Sequence, residues 1–207
     1  MMKNTITTAR RKSANGLRIL EALASPARQE LMTALGDGPA TASELSGRLG
    51  RSRQALYYHL ASLEKAGLVR VRAMRGQGRD RERVYERVPR RLVLKGRRLS
   101  PPERAAAERA ASAMLRLTRR ELSSAIRLGE DPARGPSRGP IALRGKARLG
   151  RAELDRARTL IREIALLFRR TQGRNASEPL YAVTLVLTPS PEAVPPIPPG
   201  TRRQERS

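Results

Sequence analysis

The first part of the chain carries signals for two consecutive helices. A Ser-Pro pair places Pro26 at the first position of a helix, and Leu and Met at helical spacing continue it until Gly36. Thr41 and Glu44 then form a capping box, in which each side chain bonds the other residue's backbone N–H. This box predicts a short second helix that ends near Gly50.

A third helix is predicted after a turn of a few residues. Leu56, Leu60 and Leu63 follow each other at i, i+4 and i+7, which places them on one helical face. The helix spans residues 53–66 and is stopped by Gly67. Its other face is polar, so the pattern indicates a helix with one side in a core and the other side in solvent.

The period of the pattern then changes from helical to alternating. In residues 68–74, Val69, Val71 and Ala73 alternate with arginines, and residues 83–88 alternate again. A period of two predicts half-buried strands. Turn residues and charges fill the intervening residues 75–82, so we expect a hairpin with a basic tip.

Three helices followed by a hairpin are the element order of a winged helix-turn-helix. Residues 23–88 resemble the ArsR-type winged-helix transcriptional regulators, and the most specific piece is SRQALYYHLASLEKAGLV, at 52–69. It is similar to the family's recognition helix and the strand start that follows. The resemblance implies a DNA-binding fold and does not indicate what the protein senses.

The second half is predicted to combine a long helix with a small strand-helix-strand module. Residues 91–95 suit a further strand, and a second capping box, Ser100 with Glu103, opens a helix over residues 101–128. That helix has an Ala-rich start and apolar positions suited to close packing with a second copy. The rest alternates strand and helix patterns: a strand at 143–149, an amphipathic helix at 151–171 and a strand at 181–188.

The predicted fold class is therefore mainly α with a small β component (α+β). Four regions follow from the pattern: a basic disordered arm at 1–14, the winged helix-turn-helix at 15–89, a dimerisation module at 90–188 that leaves room for a small-molecule effector, and a Pro-rich disordered tail at 189–207.

Charge points to a polyanionic partner. Lys and Arg number 43 against 19 acidic residues, for a formal net charge of +24. Most of the basic residues are Arg, which forms bidentate contacts to phosphate and guanine. A bias toward Arg with solvated side chains would also explain part of the total, so the placement of individual arginines decides.

Other chemistry is poorly supported. There is no Cys, and His59 is the single histidine, so thiolate metal sites, His clusters and Cys nucleophiles are excluded. Metal-sensing ArsR-type proteins use Cys or His clusters, and this chain departs from that pattern. We expect no cofactor, no metal and no enzymatic activity. No apolar run approaches the ~20 residues of a membrane span, and we expect a cytoplasmic, nucleoid-associated protein that binds no membrane.

The predicted DNA-binding residues come from the third helix and the hairpin tip. They are Arg51, Ser52, Arg53, Gln54, Tyr57 and Tyr58 at the helix, and Arg75, Arg79 and Arg81 at the tip. A recognition helix presents its N-terminal residues to the major groove. Arg53 suits guanine O6 and N7, and Gln54 suits adenine N6 and N7. The tip suits the minor groove.

Each assignment has a simpler alternative. One tyrosine could pack against a neighbouring helix as core filler. His59 is expected to pack inward at the helix edge or to bond locally. The tip could be a solvated basic turn offset by Asp80, Glu82 and Glu86.

Three hypotheses remain at this level. The first is a dimeric, sequence-specific regulator that binds double-stranded DNA. The second is a non-specific nucleic-acid-binding or ribosome-associated basic protein. The third is a protein–protein adaptor whose winged helix binds no DNA, against which the outward Arg53 and Gln54 argue.

Overall fold

The computed structural model describes residues 15–88, 99–129, 140–171 and 180–190. The predicted arm at 1–14, the predicted strand at 91–95 and nearly all of the tail lie outside these ranges. The elements in chain order are α1 (residues 15–23), α2 (Pro26–Ala34), β1 (Ala40–Thr41), α3 (Ala42–Leu49), α4 (Arg53–Lys65), β2 (Val69–Arg75), β3 (Glu82–Arg87), α5 (Pro101–Gly129) and α6 (Arg151–Thr171).

Capping fixes where the helices of the helix-turn-helix begin. The Thr41 hydroxyl accepts a hydrogen bond from the Glu44 N–H at 3.2 Å, and Glu44 Oε2 accepts one from the Thr41 N–H at 2.7 Å. The predicted capping box is therefore confirmed. Gly50 ends α3 with a φ of 61°, in the left-handed region that glycine adopts most easily. Three residues later, α4 begins.

Leucines from three helices form the centre of the core. Leu31 of α2, Leu45 of α3 and Leu56, Leu60 and Leu63 of α4 are all fully buried. The predicted inward face of α4 is confirmed. Burying one such side chain contributes about 1.5–3 kcal/mol relative to leaving it exposed, so the core fixes the rotation of α4 about its axis.

The small sheet is antiparallel, in the order β1-β3-β2. The two predicted hairpin strands are present, whereas the two-residue β1 gave no sequence signal. A bulge between Val71 and Ala73 breaks the predicted alternation and leaves Ala73 exposed. Val84 and Tyr85 are consecutive residues of β3 on opposite faces of the sheet, and both are buried.

The long helix α5 packs against α2. Ala106, Ala113 and Leu117 of α5 are buried, and the Gln29 side chain of α2 donates to the Ala110 carbonyl oxygen at 2.9 Å. The Ala-rich face of α5 is thus covered within the same chain. The molecule is mainly helical with a small antiparallel sheet, which confirms the predicted fold class.

The cap of α5 differs in detail from the prediction. Glu103 Oε2 accepts from the Ser100 N–H at 2.9 Å, as a capping box requires. The Ser100 hydroxyl, however, lies 2.9 Å from the same carboxylate oxygen and donates to it. The buried carboxylate is a stronger acceptor than the hydroxyl, so Ser100 supports Glu103 at this end of the helix.

Two of the three strands predicted in the second half are wrong. Residues 143–149 and 181–188 form no ladder among the described residues, and both segments are largely exposed. Alternation indicates which side chains could share a buried face, but a strand also requires a partner for its backbone groups. The second segment instead lies beside helices: the hydroxyls of Thr184 and Thr118 of α5 are 2.7 Å apart.

The predicted amphipathic helix is present as α6. None of its residues is buried. The apolar spacing predicts a stripe of Leu154, Ala157, Ile161, Ile164 and Phe168; Ile164 is exposed and the other four are partly covered. Ile164 also belongs to a neighbouring exposed row at i, i+4 and i+7, called the α6 row, which consists of Leu160, Ile164 and Leu167.

Candidate nucleic-acid interface

The outward face of α4 carries the predicted base-contacting residues. Arg53, Gln54, Tyr57 and Tyr58 are all exposed. Gln54, Tyr57 and Tyr58 lie on faces turned away from the buried leucines, whereas Arg53 is exposed because it is the first residue of the helix. Tyr57 is 42% and Tyr58 70% exposed, so the alternative that one tyrosine fills the core is wrong. A polar, aromatic-containing face is therefore available at the N-terminal half of this helix.

The N-terminus of α4 has the electrostatics of an anion site. Its first turn contains no acidic residue, so the positive end of the helix dipole is not offset there. Ser52 is the N-cap, and its hydroxyl accepts from the Ala55 N–H at 3.3 Å. The hydroxyl therefore has a structural role, and Ser52 remains exposed beside the helix end.

Arg53 contacts the hairpin close to its tip. Its Nη1 donates to the Ser43 hydroxyl of α3 at 3.4 Å and lies 3.9 Å from Glu82 Oε1. Ser43 in turn donates to the same Glu82 oxygen at 2.6 Å. The first residue of α4 is thus connected to both α3 and β3.

Arg75 is also engaged within the chain. Its Nη1 donates to Glu44 Oε1 at 2.6 Å, while the other oxygen of Glu44 caps α3. The pKa of Glu44 is held below its ordinary value, chiefly by the hydrogen bond from the Thr41 backbone and, against the opposing effect of burial, by Arg75. The Glu44 carboxylate is therefore ionised, and it holds Arg75, the last residue of β2, beside the start of α3.

Arg51 forms the third such pair. Its Nε and Nη2 lie 2.9 and 2.8 Å from Glu30 Oε2 of α2. The other oxygen of Glu30 accepts from Arg120 of α5. Glu30 thus joins Arg51, two residues before α4, to the long helix of the second half, and the Arg51 side chain is less free than its sequence position indicated.

The hairpin tip leaves two arginines exposed. Its turn depends on Gly76, where φ is 89° and a Cβ atom would lie 2.4 Å from the Asp80 carbonyl oxygen. Arg79 and Arg81 are exposed, and no ion pair within the described ranges holds either one. Of the three predicted tip arginines, these two are the ones free to meet phosphate.

His59 packs at the inner edge of α4, as expected. Its Nδ1 is buried and makes no hydrogen bond to any of the described residues, and its ring meets the Tyr58 ring edge-on at a centroid distance of 5.3 Å. Burial, aided by the charges of Arg28 and Arg51, lowers its pKa. The neutral ring is a packing group at this site.

Sequence patterns missed the two carboxylates and the serine hydroxyl that contact Arg51 and Arg53. Glu30, Ser43 and Glu82 have no local signature for these contacts, since their partners are 21, 10 and 29 residues away along the chain. Glu44 was identified as a cap, without its second partner.

Within the described ranges, no group of His, Asp or Glu could hold a metal ion, and no described helix is long and apolar enough to cross a membrane.

Comparison with known proteins identifies the same segment. A family model described as a helix-turn-helix domain matches residues 23–72, from the end of α1 into β2. A search of the curated proteins gave no match to this chain. The chain thus contains a helix-turn-helix domain, which supports DNA as a partner.

Because Arg75 is paired with Glu44 while Arg79 and Arg81 are not paired with any described residue, the latter two should determine how DNA affinity depends on salt concentration. Replacing Arg79 and Arg81 together by Ala should lower the slope of log K against log salt for duplex DNA by up to about 1.8, since each phosphate contact adds about 0.9. A titration of DNA affinity against salt concentration measures this slope.

The matched control removes two arginines from the other end of the same hairpin. Arg70 and Arg72 both pair with Glu86, and their double Ala variant should change the slope much less. Equal slopes for the two double variants would show that the tip has no special contact with phosphate.

Proposed function

We propose that the protein is a sequence-specific, double-stranded-DNA-binding transcriptional regulator of the ArsR type. In this proposal α4 enters the major groove, and the tip between β2 and β3 approaches the minor groove. It acts as a dimer in the cytoplasm, on the nucleoid. The observation that carries the proposal is the fixed rotation of α4, whose buried leucines turn Gln54 and Tyr58 outward, while Arg53 is exposed at the first turn of the helix.

The side chains on this face match the chemistry of base edges. Arg53 retains free N–H groups for the O6 and N7 acceptors of guanine, and Gln54 offers the donor and acceptor that adenine requires. Tyr57 and Tyr58 are placed for phosphates or thymine methyl groups. Phosphates would bind at the N-terminus of α4 and at Arg79 and Arg81.

Two competing functions make different demands on the surface. A non-specific or ribosome-associated protein needs only positive charge, whereas the exposed face of α4 also carries Gln and Tyr. An adaptor would present an apolar patch on α4, which instead presents polar residues.

The groove along α5, lined by Ala24, Ala105, Glu108, Arg109, Ser112 and Arg116, is open to solvent, and our proposal includes no small-molecule effector.

Single substitutions on α4 test sequence specificity. Arg53→Ala and Gln54→Ala should each reduce discrimination between a preferred duplex and its single-base variants by ~1–3 kcal/mol, with a smaller loss of affinity for random DNA. Competition binding against both DNA classes measures the two effects separately.

Arg48→Ala is the matched control, because Arg48 is an exposed arginine in the last turn of α3. Its substitution should leave discrimination unchanged, because Arg48 lies off α4, and any change in affinity should be the same for all duplexes. Wild-type discrimination in both α4 variants would contradict the proposed recognition helix and favour the non-specific function.

The dimer surface is proposed on α6 rather than α5. The sequence favoured the Ala-rich face of α5, but that face is covered by α2 within the chain. The α6 row has the i, i+4, i+7 spacing with which two identical helices interlock. A symmetric dimer would also present two recognition helices, one for each half-site of a palindromic DNA site.

The oligomeric state tests this surface in the full-length chain. Leu167→Glu, in the α6 row, should convert the protein from a dimer to a monomer of 22.9 kDa in light scattering. Leu166→Glu, an equally drastic change at a 40% exposed leucine off the row, should remain dimeric. A dimeric Leu167→Glu variant, or a monomeric wild type, would contradict the assignment.

A further inference from the structure

We propose that Glu82 is a positioning residue for base recognition, which holds one edge of the Arg53 guanidinium so that the other edge faces the major groove. This inference rests on the proposed function, in which Arg53 reads a base. Glu82 itself would touch no DNA. It would determine specificity through Arg53.

The contacts form a short relay from strand to helix. Ser43 Oγ donates to Glu82 Oε1 at 2.6 Å, and Arg53 Nη1 donates to Ser43 Oγ at 3.4 Å and lies 3.9 Å from the same Glu82 oxygen. The Glu82 side chain is 22% exposed, while that of Arg53 is 65% exposed. The carboxylate therefore lies behind the guanidinium, which remains open on its outer side.

A guanidinium can serve both partners at once. It has five N–H donors in one plane, and the contacts to Ser43 and Glu82 use only Nη1. Nη2 and Nε stay available for two parallel bonds to guanine. Holding the long side chain in one place beforehand reduces the entropy lost on binding, so the benefit falls on the specific complex.

Glu82 is held in place by a second pair of contacts beside it. It lies opposite Arg75 in the β2–β3 register, and Arg75 reaches Glu44, the neighbour of Ser43 on α3. The strand pair next to the hairpin tip is thus attached to the start of α3 at two points. Glu82 of β3 bonds Ser43, and Arg75 of β2 bonds Glu44. This double attachment fixes the carboxylate relative to the N-terminus of α4.

The charge of Glu82 gives the proposal a distinctive consequence. A carboxylate near bound DNA repels phosphate, so its removal should leave general affinity unchanged or raise it. If Glu82 positions Arg53, its removal should at the same time reduce discrimination at one base pair. A residue with a purely structural role would not separate these two quantities.

The test compares Glu82→Gln with Glu86→Gln. Both substitutions remove one negative charge from β3, and the Glu86 side chain is 17% exposed, close to the 22% of Glu82, but Glu86 contacts Arg70 and Arg72 instead of Arg53. The probes are a duplex that the wild-type protein selects from a random pool, its single-base variants, and a random duplex. Thermal melting of both variants checks that they fold.

We expect Glu82→Gln to lose about three- to tenfold of the discrimination at the base pair that Arg53→Ala affects, a part of what a bidentate contact supplies. Glu86→Gln should keep it. The double variant Arg53→Ala with Glu82→Gln should lose no more than Arg53→Ala alone, because both act through one side chain. Equal discrimination in the two Gln variants, or additive losses in the double variant, would overturn the proposal.

A second variant and an NMR measurement test the same contact independently. Ser43→Ala, which leaves Glu82 charged, should reduce the same discrimination to a lesser degree, and it replaces Glu82→Gln as the test variant should that protein not fold. The ¹⁵N guanidinium signal of Arg53, identified by its loss in Arg53→Lys, should show a restrained side chain without DNA.

The restraint should disappear in Glu82→Gln and persist in Glu86→Gln. This signal also separates the two claims. A wild type without sequence preference would refute the proposed function alone, and a guanidinium signal unchanged by Glu82→Gln would refute the positioning role.

Discussion

The burial of Leu56, Leu60 and Leu63 against Leu31 and Leu45 is the interaction on which the rest of the structure depends. These five side chains are removed from water completely, and no other rotation of α4 would bury the same leucines. The polar face of α4 is outward for that reason alone. The orientation of this face is therefore a consequence of core packing, and in the proposed function a change in the leucines would act on DNA binding through that orientation.

Carboxylates behind the surface give the arginines their individual roles. In a chain of net charge +24, Glu30, Glu44 and Glu82 each hold one arginine near the helix-turn-helix, while Arg79 and Arg81 extend freely from the tip. Held arginines suit contacts that require a defined direction, and free arginines suit phosphates, which accept from many directions. Glu30 also bonds Arg120 of α5, so one carboxylate links the second half of the chain to Arg51, in the turn between α3 and α4.

Local signals predicted the fold well where one segment contains both partners. The Thr41–Glu44 box and the leucine spacing of α4 involve residues a few positions apart, and both were correct. The strands at 143–149 and 181–188 were wrong because a pairing partner is not a local property. For the same reason the exposed position of Arg53 was predictable, whereas its contact with Glu82 depends on how the hairpin folds back onto α3.

The central claim is that a rigidly oriented α4 reads base sequence, and mapping of the protein's binding sites across its genome tests it most directly. Our account predicts sites that share an inverted repeat, with half-site centres about one helical turn, ~10 base pairs, or a multiple of it apart. Binding spread evenly over the genome, without a common sequence, would contradict the account and leave charge as the basis of nucleic-acid binding.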